Sequence, residues 1–147
     1  MRPIYETEQD RTAEEEIISR WCEHYKYDWE KLPGGYTLID FAIFKPSGPM
    51  QAVAEVKDRP GWKEAYGSVF LSMHKARELY LYFHMGTVAV FIVRTPGDKI
   101  RHVRIDERVK HWHIWWRGRT DRNDPQDLEP CIHIPINEFR TLGEAVR

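Results

Sequence analysis

The sequence has no apolar run long enough to cross a lipid bilayer. Its first ten residues, MRPIYETEQD, lack both the basic segment and the apolar segment of a secretory signal peptide. Together these two absences predict a cytoplasmic protein that makes no contact with a membrane.

Cysteine is scarce, because Cys22 and Cys131 are the only two among 147 residues and they lie in no Cys-x-x-Cys spacing. This scarcity excludes a disulfide framework and a zinc knuckle. Since reduced cysteines are among the most buried residues, both are predicted to be core residues.

An excess of charge of one sign is also absent, because 22 basic and 23 acidic residues leave a net charge of −1. The distribution is uneven, however. Residues 6–16 carry six acids and one arginine, whereas residues 101–122 carry seven basic residues and three acids. If the protein binds a phosphate backbone, the second region is expected to meet it.

The remaining composition is that of an ordinary globular protein, with 41% hydrophobic and 31% charged residues and no internal repeat. A chain of this length predicts a single domain over residues 1–147.

Hydrophobic spacing predicts a first helix over residues 10–27, in which Ile17, Ile18, Trp21 and Tyr25 share one stripe with Glu14. Further segments follow from the same kind of pattern and from turn residues. They are strands over 36–45 and 50–58 joined as a hairpin, a helix over 62–84, strands over 87–94, 100–105 and 131–136, a loop over 117–130 and a terminal helix over 137–146. This order predicts an α/β fold with a mixed central sheet flanked by helices.

The predicted hairpin carries the candidate catalytic and metal-binding residues. Its turn centre lies between Ser47 and Gly48, so residues whose numbers sum to ninety-five face each other, and Asp40 then opposes Glu55. Lys57 shares their face because side chains alternate along a strand. Two opposed carboxylates repel each other, and a divalent cation such as Mg²⁺ or Mn²⁺ removes that conflict. A register slip of one residue would instead separate Asp40 from Glu55.

Asp40 followed by Glu55-Val56-Lys57, with a helical glutamate before them, resembles the PD-(D/E)XK nuclease superfamily. The stretch EVKDRP resembles its small phage-type and Holliday-junction-resolvase-like members. The resemblance covers roughly residues 10–94 and implies a restriction-endonuclease-like αβββαβ core. Ile39 stands where the family often has proline, a variation that removes no ligand.

The resemblance implies a metal-dependent endodeoxyribonuclease that hydrolyses DNA phosphodiester bonds, and it fits a phage-encoded protein that acts in the host cytoplasm. A homodimer is expected because cutting two strands or a branched junction with so small a chain favours symmetry. Asp40, Glu55 and the Val56 carbonyl would hold Mg²⁺ or Mn²⁺. Lys57 would orient or activate the attacking water. Glu14 is chosen as the helical glutamate because it shares the apolar stripe, whereas Glu15 and Glu16 are expected to be solvated.

Several basic residues are candidates for DNA contact, namely Lys75, Arg59, Lys63, Arg117, Arg119 and Arg122. For each, a solvated surface position is the other possibility. The rings of Trp112, Trp115, Trp116 and the neighbouring His111 and His113 could stack on unpaired bases, or they could form core or an oligomer interface. The His-x-His spacing offers no obvious third ligand for zinc.

Two other functions stay open at this point. The nuclease fold could serve as a catalytically silent nucleic-acid-binding or structural module. Alternatively, an unrelated α/β interaction domain could carry the Glu-Val-Lys triplet by coincidence.

Overall fold

The computed structural model describes residues 8–34, 37–118 and 128–143, with side chains described from residue 11 onwards except at 117, 118 and 128. The helices are α1 (Glu8–Tyr25) and α2 (Met73–His84). The strands are β1 (Asp28–Lys31), β2 (Phe41–Phe44), β3 (Met50–Asp58), β4 (Ser68–Ser72), β5 (Val88–Thr95), β6 (Lys99–Arg104), β7 (His113–Gly118), β8 (Leu128–Pro135) and β9 (Arg140–Thr141). Short 3-10 helices cover Glu64–Tyr66, Glu107–His111 and Ile136–Glu138.

The strands of this part of the chain form two sheets. The larger sheet has the order β1-β2-β3-β5-β6-β9, and all its pairs are antiparallel except β3 with β5, which is parallel. The smaller sheet has the order β4-β8-β7 and is antiparallel. The predicted mixed α/β fold is confirmed. The succession α1, β1 to β3, α2, β5 reproduces the αβββαβ core, with β4 inserted before α2.

The larger sheet is covered on both faces, which explains the continuous apolar sequence of β5. On one face α1 buries Ile17, Ile18, Trp21 and Cys22 against β2, β3 and β5. On the other face α2 and the smaller sheet form a second cluster with β3 and β5. Residues of β5 alternate between the two clusters, so this strand is the centre of the core.

Several predictions are confirmed. The first helix, the strand over 50–58, the buried strand near 87–94 and the strand near 100–105 all form within one or two residues of their expected bounds. The first helix ends where Lys26 adopts a positive φ of 63° and the Tyr27 N–H donates to the Cys22 carbonyl, a common helix-ending motif. Cys22 and Cys131 are both buried, as expected.

The helix predicted over 62–84 is wrong in its first half. Gly67 adopts a left-handed backbone conformation with φ 67°, which a continuous helix does not allow, and Ser68–Ser72 then forms β4. Val69 and Leu71 are buried while Ser68 and Phe70 are only partly so, which is strand alternation. The partner that makes this segment a strand is β8, about sixty residues later in the sequence, and local spacing does not reveal it.

The C-terminal predictions also need correction. A terminal helix was predicted over 137–146. Up to residue 143 the structure has instead the short 3-10 helix Ile136–Glu138 and β9, the edge strand that pairs with β6, whereas 144–146 lie outside the described residues. Residues 117–118 and 128–130, predicted as loop, belong to β7 and β8, whereas 119–127 lie outside the described residues. Strand β1 was not predicted. Within the described ranges, neither helix is long and apolar enough to cross a membrane.

Candidate active site

The hairpin of β2 and β3 has the predicted register near its open end. Phe41 pairs with Ala54, Ala42 with Val53 and Ile43 with Ala52, and the register shifts by one only next to the turn. β2 begins at Phe41, so Asp40 lies one residue before the strand and not inside it as predicted. The Leu32 N–H donates to the Asp40 carbonyl at 2.7 Å, which continues the pairing with β1 and fixes the Asp40 backbone.

Glu55 lies in the middle of the larger sheet, where β3 runs beside β5, and its side chain is completely buried. Its two oxygens are approached by two different ammonium groups. Lys57 Nζ lies 3.6 Å from Oε1, and Lys75 Nζ lies 3.3 Å from Oε2. Burial raises the pKa of Glu55 to about 7, with Asp40 acting in the same direction, while Lys75 and Lys57 oppose the rise.

Five charged side chains form a row in which the sign of the charge alternates. Lys57 Nζ is 3.8 Å from Glu14 Oε1, and Lys75 Nζ is 3.8 Å from Asp40 Oδ1. The row therefore runs Glu14, Lys57, Glu55, Lys75, Asp40. It joins α1, β3, α2 and the segment before β2. Asp40 and Glu55 both face one ammonium nitrogen, and thus share one cation-sized position.

The two lysines are held by different elements. Burial acts to lower the pKa of Lys57, but Glu55 and Glu14 outweigh it, so the pKa is raised and the group stays charged. Lys75 lies in the first turn of α2, where the Ser72 hydroxyl accepts a hydrogen bond from the Lys75 backbone N–H. The Lys75 ammonium also donates to the Leu38 carbonyl. Lys57 is thus positioned in the row by β3, and Lys75 by the first turn of α2.

The chemistry of the row suits a hard cation, although two acids alone are a small ligand set. Among the described residues, no group of three or more His, Cys, Asp or Glu side chains is arranged to hold a metal ion. Neither oxygen of Glu55 accepts a hydrogen bond of good geometry from this part of the chain. Its neighbours are cations, and the ammonium between Asp40 and Glu55 marks a place where positive charge is stabilised.

The structure brings some predicted site residues together and leaves others apart. Glu14, Asp40, Glu55, Lys57 and Lys75 lie in the row. Val56 lies between Glu55 and Lys57, with its side chain in the core beneath α1.

The other predicted residues lie beyond the row. The guanidinium of Arg59 lies over the Phe70 ring, 4.4 Å from its centroid. Lys63 is exposed, and no ion pair joins it to the described residues of the row. The side chain of Arg117, and all of Arg119 and Arg122, fall in the parts of the chain that are not described.

Of the remaining helical glutamates, Glu15 is exposed, as expected. Glu16 is exposed but not simply solvated, because its Oε1 accepts a hydrogen bond from Arg94 at 3.2 Å.

From the sequence, Lys75 was expected as a DNA contact or a solvated surface lysine, and its ion pairs with Asp40 and Glu55 were not predicted. The helix predicted over 62–84 did not indicate that the Lys75 side chain faces the sheet. The signal that was available is Ser72, a good N-cap residue, which starts α2 directly before Met73 and places Lys75 in the first turn facing the sheet.

The fold is similar to that of Archaeoglobus fulgidus Hjc, a Holliday junction resolvase from an archaeal hyperthermophile. The TM-score is 0.52 at 14% sequence identity, and the match covers 84% of this chain and 88% of that one. A comparison with curated proteins found no match. The model of the family described as "Phage putative PDDEXK endonuclease" matches residues 1–142, and the chain therefore belongs to this family.

Proposed function

We propose that the protein is a Mg²⁺- or Mn²⁺-dependent endodeoxyribonuclease that hydrolyses DNA phosphodiester bonds at the row of Glu14, Lys57, Glu55, Lys75 and Asp40. The observation that carries this proposal is the shared cation position between Asp40 and Glu55. Carboxylate oxygens are the ligands that Mg²⁺ and Mn²⁺ prefer, and family membership supports phosphodiester chemistry.

The metal ligands in this proposal are Asp40, Glu55 and the backbone carbonyl of Val56. When bound, a divalent cation would lower the pKa of a water molecule and neutralise charge on the scissile phosphate. A set of two carboxylates and one carbonyl fits Mg²⁺, which usually keeps several waters and uses one or two carboxylates.

Lys57 is the residue that we assign to the attacking water and to the charge that develops on the phosphate. Its raised pKa favours a positively charged ammonium, which orients a water and stabilises negative charge, over a neutral amine that removes a proton. Glu14 lies 3.8 Å from Lys57 and holds the ammonium beside Glu55. Its role is therefore to position Lys57.

The DNA backbone is proposed to meet the basic residues around this row. Lys75 would turn to a phosphate when a metal ion takes its place between the acids, and Arg59 follows directly after β3. Lys63, Arg117, Arg119 and Arg122 are further proposed contacts. A homodimer is proposed because cutting two strands with so small a chain favours two-fold symmetry. The phage family fits action in the cytoplasm of a host cell.

A second candidate function is a catalytically silent DNA-binding module. The observation that favours it is the row itself, because Lys57 and Lys75 offset two of the three negative charges of Glu14, Glu55 and Asp40. A structural role for the row requires no turnover.

Cleavage assays separate the two functions. Purified protein is incubated with linear duplex, single-stranded and four-way-junction DNA in Mg²⁺, Mn²⁺ or EDTA. We expect metal-dependent cleavage that Asp40→Asn and Lys57→Ala abolish and that Lys99→Ala, at an exposed position on β6, leaves unchanged. Cleavage that survives Asp40→Asn would contradict the assignment of the site. Binding without cleavage of any substrate would favour the silent module.

A further inference from the structure

Four ring-bearing side chains form a row across the smaller sheet. Phe70 on β4 pairs with His133 on β8, which pairs in turn with His113 on β7. The ring centroids of Phe70 and His133 lie 6.3 Å apart, and those of His133 and His113 lie 6.0 Å apart. Trp115 stacks beside His113 at 6.1 Å and 15°. These four rings are called the ring surface below.

The ring surface faces away from the core. Val69, Leu71, Ile132 and Ile134 point into the hydrophobic cluster beneath the smaller sheet. Because side chains alternate along a strand, their neighbours Phe70 and His133 lie on the other face. Trp115 is 62% exposed and lies on β7, an edge strand of the smaller sheet. Core packing therefore does not account for this tryptophan.

The ring surface begins beside the candidate active site. Arg59 follows β3 two residues after Lys57, and its charge is close enough to act on the Lys57 ammonium. The same guanidinium covers the Phe70 ring. Strand β4, which carries Phe70, continues at Ser72 directly into α2 and Lys75. A ligand on the ring surface would thus extend into the row of charged residues.

The charge of this region favours a polyanion. The permanently charged guanidinium of Arg59 lies at the end next to the active site. Glu129 lies on the same side of β8 as His133, beyond Cys131 and away from Arg59. Positive charge is therefore concentrated at the end of the ring surface that lies nearest to the proposed catalytic residues.

We propose that the ring surface binds a single-stranded segment of the DNA substrate, with bases stacked on the exposed rings of His113 and Trp115 and a phosphate held by Arg59, above Phe70, next to the cleavage position. This inference rests on the proposed nuclease function and deepens it. Aromatic side chains stack on bases whose faces are open, and the interior of a duplex offers none. The substrate class is therefore DNA with a single-stranded region, such as a tail, flap or gap.

The test compares two neighbouring tryptophans of β7. Trp115 and Trp116 are similarly exposed, at 62% and 60%, and alternation places them on opposite faces of the strand. Binding of fluorescein-labelled oligothymidine and of a blunt duplex, each about 20 nucleotides long, is measured by anisotropy in EDTA, so that no cleavage occurs. Circular dichroism and light scattering check folding and oligomeric state.

We expect Trp115→Ala to weaken oligothymidine binding about tenfold and to leave duplex binding nearly unchanged. Trp116→Ala is expected to bind both DNAs within about twofold of the wild type. His113→Ala, on the same face as Trp115, should repeat the loss for oligothymidine. If the Trp115→Ala variant is folded and still binds oligothymidine with the affinity of the wild type, the proposal is overturned. Equal losses for both DNAs, or dissociation of an oligomer in place of a loss of affinity, would also overturn it.

The nuclease proposal and this inference fail in different assays. Metal-dependent cleavage that Asp40→Asn abolishes, together with unchanged oligothymidine binding by Trp115→Ala, contradicts only the ring surface. Ring-dependent binding of oligothymidine without cleavage of any DNA contradicts only the nuclease function and supports the binding site.

Discussion

Lys75 Nζ lies 3.3 Å from Glu55 Oε2 and 3.8 Å from Asp40 Oδ1, and so places a positive charge between the two acids that we propose as metal ligands. Without a cation, two carboxylates this close to one point would repel each other, and Glu55 is fully buried. The ammonium reduces that repulsion in the metal-free protein. A metal ion bound by these two acids would therefore compete with Lys75 for one position.

This competition predicts that Lys75→Met binds Mn²⁺ more tightly than the wild type. Removing a positive charge next to the ligands should lower the dissociation constant about tenfold. Titration calorimetry with MnCl₂ measures the effect. Lys99→Met removes a lysine at an exposed position on β6 and should keep the wild-type constant. Weaker Mn²⁺ binding by Lys75→Met would show that the two cations do not share a position.

A second prediction concerns the neighbouring glutamates of α1. Glu14 is 5% exposed and ion-paired with Lys57, whereas Glu15 is exposed. Glu14→Gln should lower kcat about tenfold, because Lys57 loses a partner that directs it, and should leave KM for DNA nearly unchanged. Glu15→Gln should match the wild type in both constants. A rise in KM with an unchanged kcat would assign Glu14 to substrate binding and contradict a positioning role.

The raised pKa of Glu55 predicts an unusual dependence of stability on pH. The pKa rises from 4.5 to about 7 on folding, so the folded state binds this proton more tightly than the unfolded chain does. Its contribution to stability is complete below pH 4.5 and is lost as the pH rises to about 7. The loss is on the order of 3 kcal/mol.

Urea unfolding in EDTA at a series of pH values measures this contribution. Glu55→Gln lacks the titrating group. As the pH increases from 4.5 to 7, the wild type should therefore lose stability relative to this variant, and the difference in unfolding free energy should shift in favour of the variant. The opposite trend would mean that Lys57 and Lys75 hold Glu55 ionised at low pH. Mn²⁺ at saturating concentration should reduce the difference, because a bound cation stabilises the ionised wild-type carboxylate.

The parts of the fold that could be predicted are those whose signal is local. The apolar stripe of α1 and the continuous apolar run of β5 are complete within their own segments. The hairpin register could be predicted from the position of its turn, and it brought Asp40 and Glu55 to one place. By contrast, β4 becomes a strand because it pairs with β8, and that long-range contact has no local signature.

The same limit applies to the candidate site. Glu55 and Lys57 were predicted from alternation along one strand, whereas the place of Lys75 depends on where α2 begins. A helix that starts at residue 62 and one that starts at Met73 direct the lysine differently. The ring surface depends on three strands from distant parts of the sequence, so Phe70 and His133 had no pattern that linked them to His113.

The orientation of α2 can be tested by stability alone. Leu79 is fully buried against the core, whereas Leu81, two residues later on the same helix, is 46% exposed. Truncation of Leu79 to alanine removes buried methyl groups and leaves a cavity, which typically costs about 2–5 kcal/mol of unfolding free energy. Leu81→Ala makes the same chemical change at the surface and should cost less than about 1 kcal/mol. Chemical denaturation of both variants gives the two unfolding free energies. Equal losses would contradict the orientation of α2, in which Leu79 faces the core. They would then also contradict the direction in which Lys75 enters the site.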